Sequence, residues 1–249
     1  MRIAVVGATG RIGALTVKEL EQAGHEVVPI SRSTGVDAYT GAGLDEALAG
    51  VDAVVDSSNT PARDEAQIVD FFGTTSRNLL AAEERAGVRH HVLLSIVGID
   101  HGQPVAHYAG KREQERLVSG GPIPWTIVRA TQFHDFAAMV AEWAEQDGTA
   151  PIAPLLVQPI DHADVAEVLA EVAAGAPQYA RLDIAGPETQ DLVDMARRTF
   201  AVRGREVNLV PTWRGTAFDT AMAGEVLLPG PGARLGRTRF ADWLAAGAH

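Results

Sequence analysis

Gly7, Gly10 and Gly13 recur at every third position in Gly7-Ala-Thr-Gly10-Arg-Ile-Gly13, directly after the β-branched run Ile3 to Val6. Glycines so placed, between a strand and a helix, suit the binding of a diphosphate. Gly7 permits the tight turn, Gly10 lets backbone N–H groups approach the pyrophosphate, and Gly13 lets helix and strand pack closely. The anion then rests at the positive N-terminal end of the helix, with Thr9, Arg11 and Ile12 completing the loop around it. The spacing is not the Gly-x-Gly-x-x-Gly of the standard dinucleotide fingerprint, but the strand–loop–helix context is the confirming one.

A second strand, Glu26 to Ile30, ends at Ser31-Arg32-Ser33. An acid there would bind the adenosine ribose hydroxyls and repel a 2′-phosphate. Arg32 stands there instead, with Arg11 available from the glycine loop, and both cations suit a phosphate. NADP(H) is therefore the expected cofactor, ahead of NAD(H); the competing reading makes both arginines solvated surface residues. Ser31 belongs to the same adenosine-side group, and Asp37 is expected near the adenine. Ser57 and Ser58 follow the strand Asp52 to Asp56. They suit contacts to ribose or phosphate and suit a bare turn equally well.

The elements that must position these groups alternate along the chain. Leu15, Val17, Leu20 and Ala23 give the first helix an apolar face, ended by Gly24. Val36 to Tyr39 is expected as a short strand and Leu44 to Leu48 as a brief helix. Ile68, Phe72, Thr75 and Leu79 keep helical spacing up to Gly87. His91 to Ile96 reads as a strand, His107 to Ser119 as a helix and Trp125 to Arg129 as a strand. Such alternation predicts a doubly wound parallel sheet, a Rossmann-like α/β fold. Beyond it, Phe133 to Gln146 is expected helical, and Pro151, Pro154 and Pro159 punctuate an extended stretch. Asp161 caps a helix through Val172, and Arg181 to Ala185 is a strand. Thr189 to Phe200 reads as a helix, Val207 to Val210 as a strand, and Trp213 to Gly224 and Arg239 to Ala246 as helices. The expected division is a dinucleotide-binding core over 1–132 and a small C-terminal α+β substrate lobe over 133–249, packed on the core.

Composition narrows the function. The 249 residues are 46% hydrophobic, enough for a sizeable core, and carry a formal charge of −11, which argues against a nucleic-acid partner. Cysteine is absent, which excludes disulfides and a thiol nucleophile. The N-terminal apolar run is too short for a signal peptide, and no run reaches the ~18 apolar residues of a membrane span, so a cytoplasmic protein is expected. His134 lacks a partner at metal-ligand spacing, His162 and Asp164 follow the capping Asp161 as a helix start, His90-His91 enter a strand, and no metal is expected.

Several stretches together resemble the NmrA-like, atypical branch of the short-chain dehydrogenase/reductase superfamily. They are the glycine loop, Leu94-Ser-Ile-Val-Gly98, Lys111 with Gln114-Glu115, and Thr126-Ile-Val-Arg-Ala-Thr-Gln-Phe133. The resemblance implies an NAD(P)-binding core and a smaller substrate lobe, with Thr131, Gln132 and Phe133 lining the nicotinamide and substrate pocket. It also implies a serine after the fifth strand, here Ser95, and a tyrosine four residues before a lysine. Lys111 is the lysine, which also contacts the cofactor ribose. His107 occupies the tyrosine position and Tyr108 is displaced by one. On a helix the i, i+4 pair diverges by roughly 40° and the i, i+3 pair by roughly 60° the other way, so Tyr108 aims elsewhere. Three readings follow: His107 serves as the acid, Lys111 acts alone, or the chemistry is lost. The expected activity is hydride transfer to a small, apolar, conjugated carbonyl, quinone or cyclic ether. The alternatives are an NADP(H) sensor acting on a protein partner and a redox-neutral dehydratase or isomerase.

Overall fold

The computed structural model describes residues 1–101, 105–216 and 218–247. The first half alternates β1 (Arg2–Val6), α1 (Arg11–Gln22), β2 (Glu26–Ile30), α2 (Leu44–Leu48), β3 (Ala53–Asp56), α3 (Glu65–Ala86), β4 (His90–Ile96), α4 (Ala106–Ser119) and β5 (Trp125–Ala130). The second half holds α5 (Phe136–Ala144), β6 (Thr149–Ile152), β7 (Leu156–Val157), α6 (His162–Ala174), β8 (Arg181–Ala185), β9 (Gln190–Asp191), α7 (Leu192–Val202), β10 (Asn208–Pro211), β11 (Arg234–Leu235) and α8 (Phe240–Ala245).

Seven strands form one parallel sheet in the order β2-β1-β3-β4-β5-β8-β11. Strands buried on both faces need apolar centres, and β1, β3, β4 and β5 supply them at residues 3–6, 53–55, 92–94 and 127–128. Ile3, Val5, Val55, Val92 and Val128 pack on one face with Leu20 of α1 and Leu169 of α6. Ala4, Val54, Leu93 and Ile127 pack on the other with Leu44 of α2, Leu79 of α3 and Val118 of α4. The chain leaves β1 toward β2 on one side and returns to β3 on the other. A crevice therefore opens beyond the carboxyl ends of β1 and β3, where ligands bind in such sheets. Capping follows the sequence: Asp64 accepts from the Gln67 N–H and Asp161 from the Ala163 N–H, opening α3 and α6.

The strand expected at Val36 to Tyr39 does not form. Asp37 makes a single bridge to Ala42, and its carboxylate accepts the Tyr39 N–H at 2.9 Å, a side-chain-closed turn. The sheet thus ends at β2, an edge that Pro29 blunts by lacking a donor. The helix expected from Phe133 begins at Phe136, because Phe133 pairs with Ile160. The helix expected from Thr189 begins at Leu192, because Gln190 and Asp191 pair with β7. Trp213 to Gly224 is turns with one 3-10 turn at Thr220–Met222; Ala217 lies outside the described residues. The proline-marked stretch supplies β6 and β7, which sequence patterning missed.

A second core joins α5, α7, α8 and β6 through Ala141, Ile152, Leu192, Met195, Phe200 and Phe240. The chain then returns to the main sheet with α6, β8 and β11. Among the described residues no helix is long and apolar enough to cross a membrane.

Candidate cofactor cleft and active site

The glycine loop has the geometry of an anion cradle. Gly7 lies at φ +75°, a left-handed conformation that side chains resist. A Cβ on Gly13 would stand 2.1 Å from the Gly7 carbonyl oxygen, so α1 reaches the loop only because that atom is missing. Gly10 is the N-cap of α1, no side chain caps the helix, and its first turn carries no acid. The helix N-terminus therefore keeps its N–H groups for a ligand, which fits a dinucleotide diphosphate. Thr9 is exposed at the crest of the loop, whereas Ile12 is packed into the core beneath.

The two arginines expected at a phosphate stand in different surroundings. Arg11 forms an ion pair with Asp135, the residue capping α5. Asp135 lies 3.7 Å from His162 Nε2, and His162 stacks on Phe133 at 4.3 Å between ring centroids. Burial and the Arg11 charge push the His162 imidazole down to about 4, so it is neutral near pH 7. Arg32 is exposed on the 3-10 turn after β2 and makes no ion pair among the described residues. Ser31 bonds Ser33 and caps that turn together with Thr34. Ser57 donates to the Val6 carbonyl at 2.7 Å. Ser58 accepts weakly from Gln114 at 3.4 Å, so its hydroxyl is directed inward.

Lys111 is 5% exposed and lies beneath the carboxyl ends of β3 and β4. Its Nζ donates to the Leu94 carbonyl and to Gln114 Oε1, both at 2.9 Å, and sits 4.5 Å from the Phe72 ring centroid. Burial pulls the ammonium down to about 8, opposed by the carboxylates of Asp56 and Glu115. His107 packs edge-on against Phe72 at 5.3 Å; burial and the Lys111 charge lower it to about 4. It is therefore uncharged at pH 7 and does not titrate near neutrality, contrary to the premise on which an acid role was expected. Tyr108 turns the other way, into the second core. Burial raises its phenol to about 12, with Gln132 acting in the opposite sense.

Gln132 is 7% exposed, and its amide meets the Tyr108 phenol. Thr131 is spent on structure, its hydroxyl donating to the Gln158 carbonyl at 2.6 Å. Ser95 is buried against Glu115, and its hydroxyl helps to stabilise that carboxylate. Glu115 takes two bonds from Arg129 and one from Arg181, and Arg129 also reaches Asp100 at 2.7 Å. Burial raises the Glu115 carboxyl, but these bonds outweigh it and hold it low.

Sequence reasoning missed Asp56, Gln114, Asp135 and His162 as groups around the cleft. The motif Lys111-x-x-Gln114-Glu115 carried part of that signal, because i and i+3 share a helix side. Three further histidines have partners within the fold. His91 is fully buried against Glu83 at 2.8 Å; burial opposes its charge, and the Glu83 carboxylate raises it. His90 bonds Thr126, and His134 bonds the Thr238 carbonyl. No cluster among the described residues suits a metal ion.

Comparison with known proteins places this geometry. Residues 7–175 match the model of a family described as NAD(P)H-binding. The (4-alkanoyl-5-oxo-2,5-dihydrofuran-3-yl)methyl phosphate reductase of Streptomyces griseus is 30% identical over 222 residues, covering 82% of this chain and 74% of the relative. The triphenylmethane reductase of Citrobacter sp., solved with NADP(H), aligns at a TM-score of 0.67 and 21% identity over 85% of this chain and 79% of that one. The NADPH-dependent quinone oxidoreductase of Escherichia coli, solved with NADPH, aligns at 0.70 and 18% identity over 98% and 99%. At these identities the two structures establish a shared fold.

Proposed function

The chain belongs to the NAD(P)H-binding family, with the fold of the NmrA-like, atypical short-chain dehydrogenase/reductases, and from that premise we propose that it is an NADPH-dependent reductase of small, conjugated, oxygen-bearing molecules. The observation that carries this reading is Lys111, a buried ammonium lowered to about 8 beneath the cofactor end of the sheet. Groups poised near neutrality in a cleft are the ones that hold and move protons. The printed names of the relatives, a furanone phosphate reductase, a triphenylmethane reductase and a quinone oxidoreductase, support a conjugated acceptor.

The bound cofactor supplies the hydride. The protein's residues bind, orient and transfer protons. The α1 N-terminus and the glycine loop hold the diphosphate, and Arg32 meets a 2′-phosphate at the end of β2. Arg11, held by Asp135, is assigned to the loop rather than to that phosphate. Ser31, Asp37, Ser57 and Ser58 shape the ribose and adenine side. Gln132 and Tyr108 receive the substrate oxygen: the phenol stays protonated at physiological pH, so it donates a hydrogen bond and does not act as a base. Lys111 Nζ is the exchangeable proton nearest neutrality in this group. Phe133, stacked on His162, supplies a flat apolar wall, and residues 133–249 complete the pocket.

One observation favours a second reading, an NADP(H) sensor. His107 and Tyr108, at about 4 and about 12, both stand far from neutrality, leaving Lys111 without a helper of matched acidity. Following NADPH absorbance with a panel of quinones, enones and furanones separates the two. Sustained oxidation is the expected result; tight NADPH binding without turnover of any acceptor would replace the reductase with the sensor.

A further inference from the structure

Only two of the 21 Lys and Arg residues are lysines, Lys18 and Lys111. Apart from the exposed Lys18, the chain places its other cations with arginine, which cannot lose its proton; at the buried point beside the cofactor cleft it keeps an amine. The surroundings of that amine are ordered in sequence. Asp56, fully buried at the end of β3, accepts Gln114 Nε2 at 2.7 Å. Gln114, fully buried on α4, then has only its Oε1 to offer, and this oxygen accepts the Lys111 ammonium at 2.9 Å. A carboxylate only accepts, so Asp56 dictates which way the amide faces. The other Asp56 oxygen accepts the Ser58 N–H at 2.9 Å, tying the same carboxylate to the loop that borders the cleft.

We propose that Asp56 and Gln114 are positioning residues for Lys111: a carboxylate–amide–ammonium chain that aims Nζ at the Leu94 carbonyl and keeps the amine protonated. The proposal rests on the reading of Lys111 as the proton-holding group of the reductase and names what prepares it. The charges bearing on Nζ are Asp56 from β3 and Glu115 from α4. His107, also on α4, faces it as a neutral ring; α3 presents Phe72 and β4 the Leu94 carbonyl. Glu83 and His91 are engaged with each other. Of these, Asp56 and Gln114 alone form a continuous bonded path to the amine.

With two lysines, the test reads the amine directly. In protein labelled with 13C at the lysine ε-carbon, two signals titrate: Lys18, exposed on α1, and Lys111, identified by its loss in Lys111→Arg. Asp56→Asn keeps an acceptor for Gln114 and removes the charge, and Gln114→Met keeps the volume and removes both bonds. In each variant the Lys111 midpoint is expected to fall by about one pH unit or more, the scale of a lost opposite charge or a lost bond to the charged form. The Lys18 midpoint is expected to stay where it is. Near-ultraviolet circular dichroism and thermal melting report folding, and failure of one variant to fold leaves the other decisive. An unchanged Lys111 midpoint in a folded variant overturns the proposal, since burial alone would then set it. Because the titration needs no substrate, it stands whether or not NADPH is oxidised. Absence of turnover with a shifted midpoint would reject the reductase and retain the chain.

Discussion

Replacing Lys111 by methionine removes the buried charge while keeping the length of the side chain. The ammonium has fallen from the ordinary 10.5 to about 8. At about 1.4 kcal/mol per unit, holding the charge in the folded protein costs on the order of 3 kcal/mol at pH 7. Against that, the substitution strands Gln114 Oε1, a buried acceptor whose loss of a partner costs about 1–2 kcal/mol. Lys111→Met is therefore expected to be more stable than the wild type by about 1–2 kcal/mol at pH 7. The sign with pH follows from the lowered value. Between pH 8 and 10.5 the unfolded chain binds the proton and the folded one has released it, so wild-type stability rises with pH across that window relative to the variant. The advantage of Lys111→Met should shrink from pH 8 upward, vanish between about pH 9 and 10, and be reversed near 10.5, where only the cost of the stranded Gln114 acceptor remains. Urea unfolding of both proteins at pH 7, 8, 9 and 10 measures it. A variant less stable at pH 7, or a difference that does not change with pH, would refute the assignment of a strained, ionised lysine. A protein that keeps such a residue at a cost in stability keeps it for function.

Gly13→Ala places a methyl 2.1 Å from the Gly7 carbonyl oxygen, so NADPH affinity should fall at least tenfold, about 1.4 kcal/mol by fluorescence titration; unchanged binding would show that the loop does not hold the diphosphate. Arg32→Ala should raise the NADPH dissociation constant about tenfold or more and leave that for NADH nearly alone. Arg11→Ala should do much less to that preference, because Asp135 holds Arg11 away from the ribose end; the reverse order would exchange their roles. Glu115→Ala leaves the buried Arg129 with Asp100 alone and should cost about 3–5 kcal/mol in urea unfolding; a loss under about 1 kcal/mol would show that the pair stabilises nothing.

The parallel sheet was readable from residues because its strands have apolar centres and its helices carry clear caps, as at Asp161. The glycine loop was readable for the same reason: Gly7 and Gly13 are demanded by backbone geometry that a sequence displays openly. The missing strand at Val36 to Tyr39 was not, because β-branched and aromatic residues there favour a strand locally, while the Asp37 turn and the Pro29 edge decide otherwise. Nor were the partners of Lys111. Asp56 and Gln114 lie 58 positions apart and meet only when β3 and α4 pack. Arg11 and Asp135, 124 positions apart, likewise meet only in the folded chain. The displaced tyrosine was visible as a register shift, but its destination in the second core depends on α5 and the residues beyond it.

The claim that the cleft transfers hydride is tested most directly with NADPH carrying deuterium at C4 of the nicotinamide. Each isotopic face is incubated with enzyme and a quinone, enone or furanone acceptor, and the product is analysed by mass spectrometry. The predicted result is one deuterium in the product from one face only, with label transfer lost in Lys111→Met while NADPH still binds. Product formed without label, or cofactor bound and never consumed with any acceptor, would contradict the assignment of this protein as a reductase.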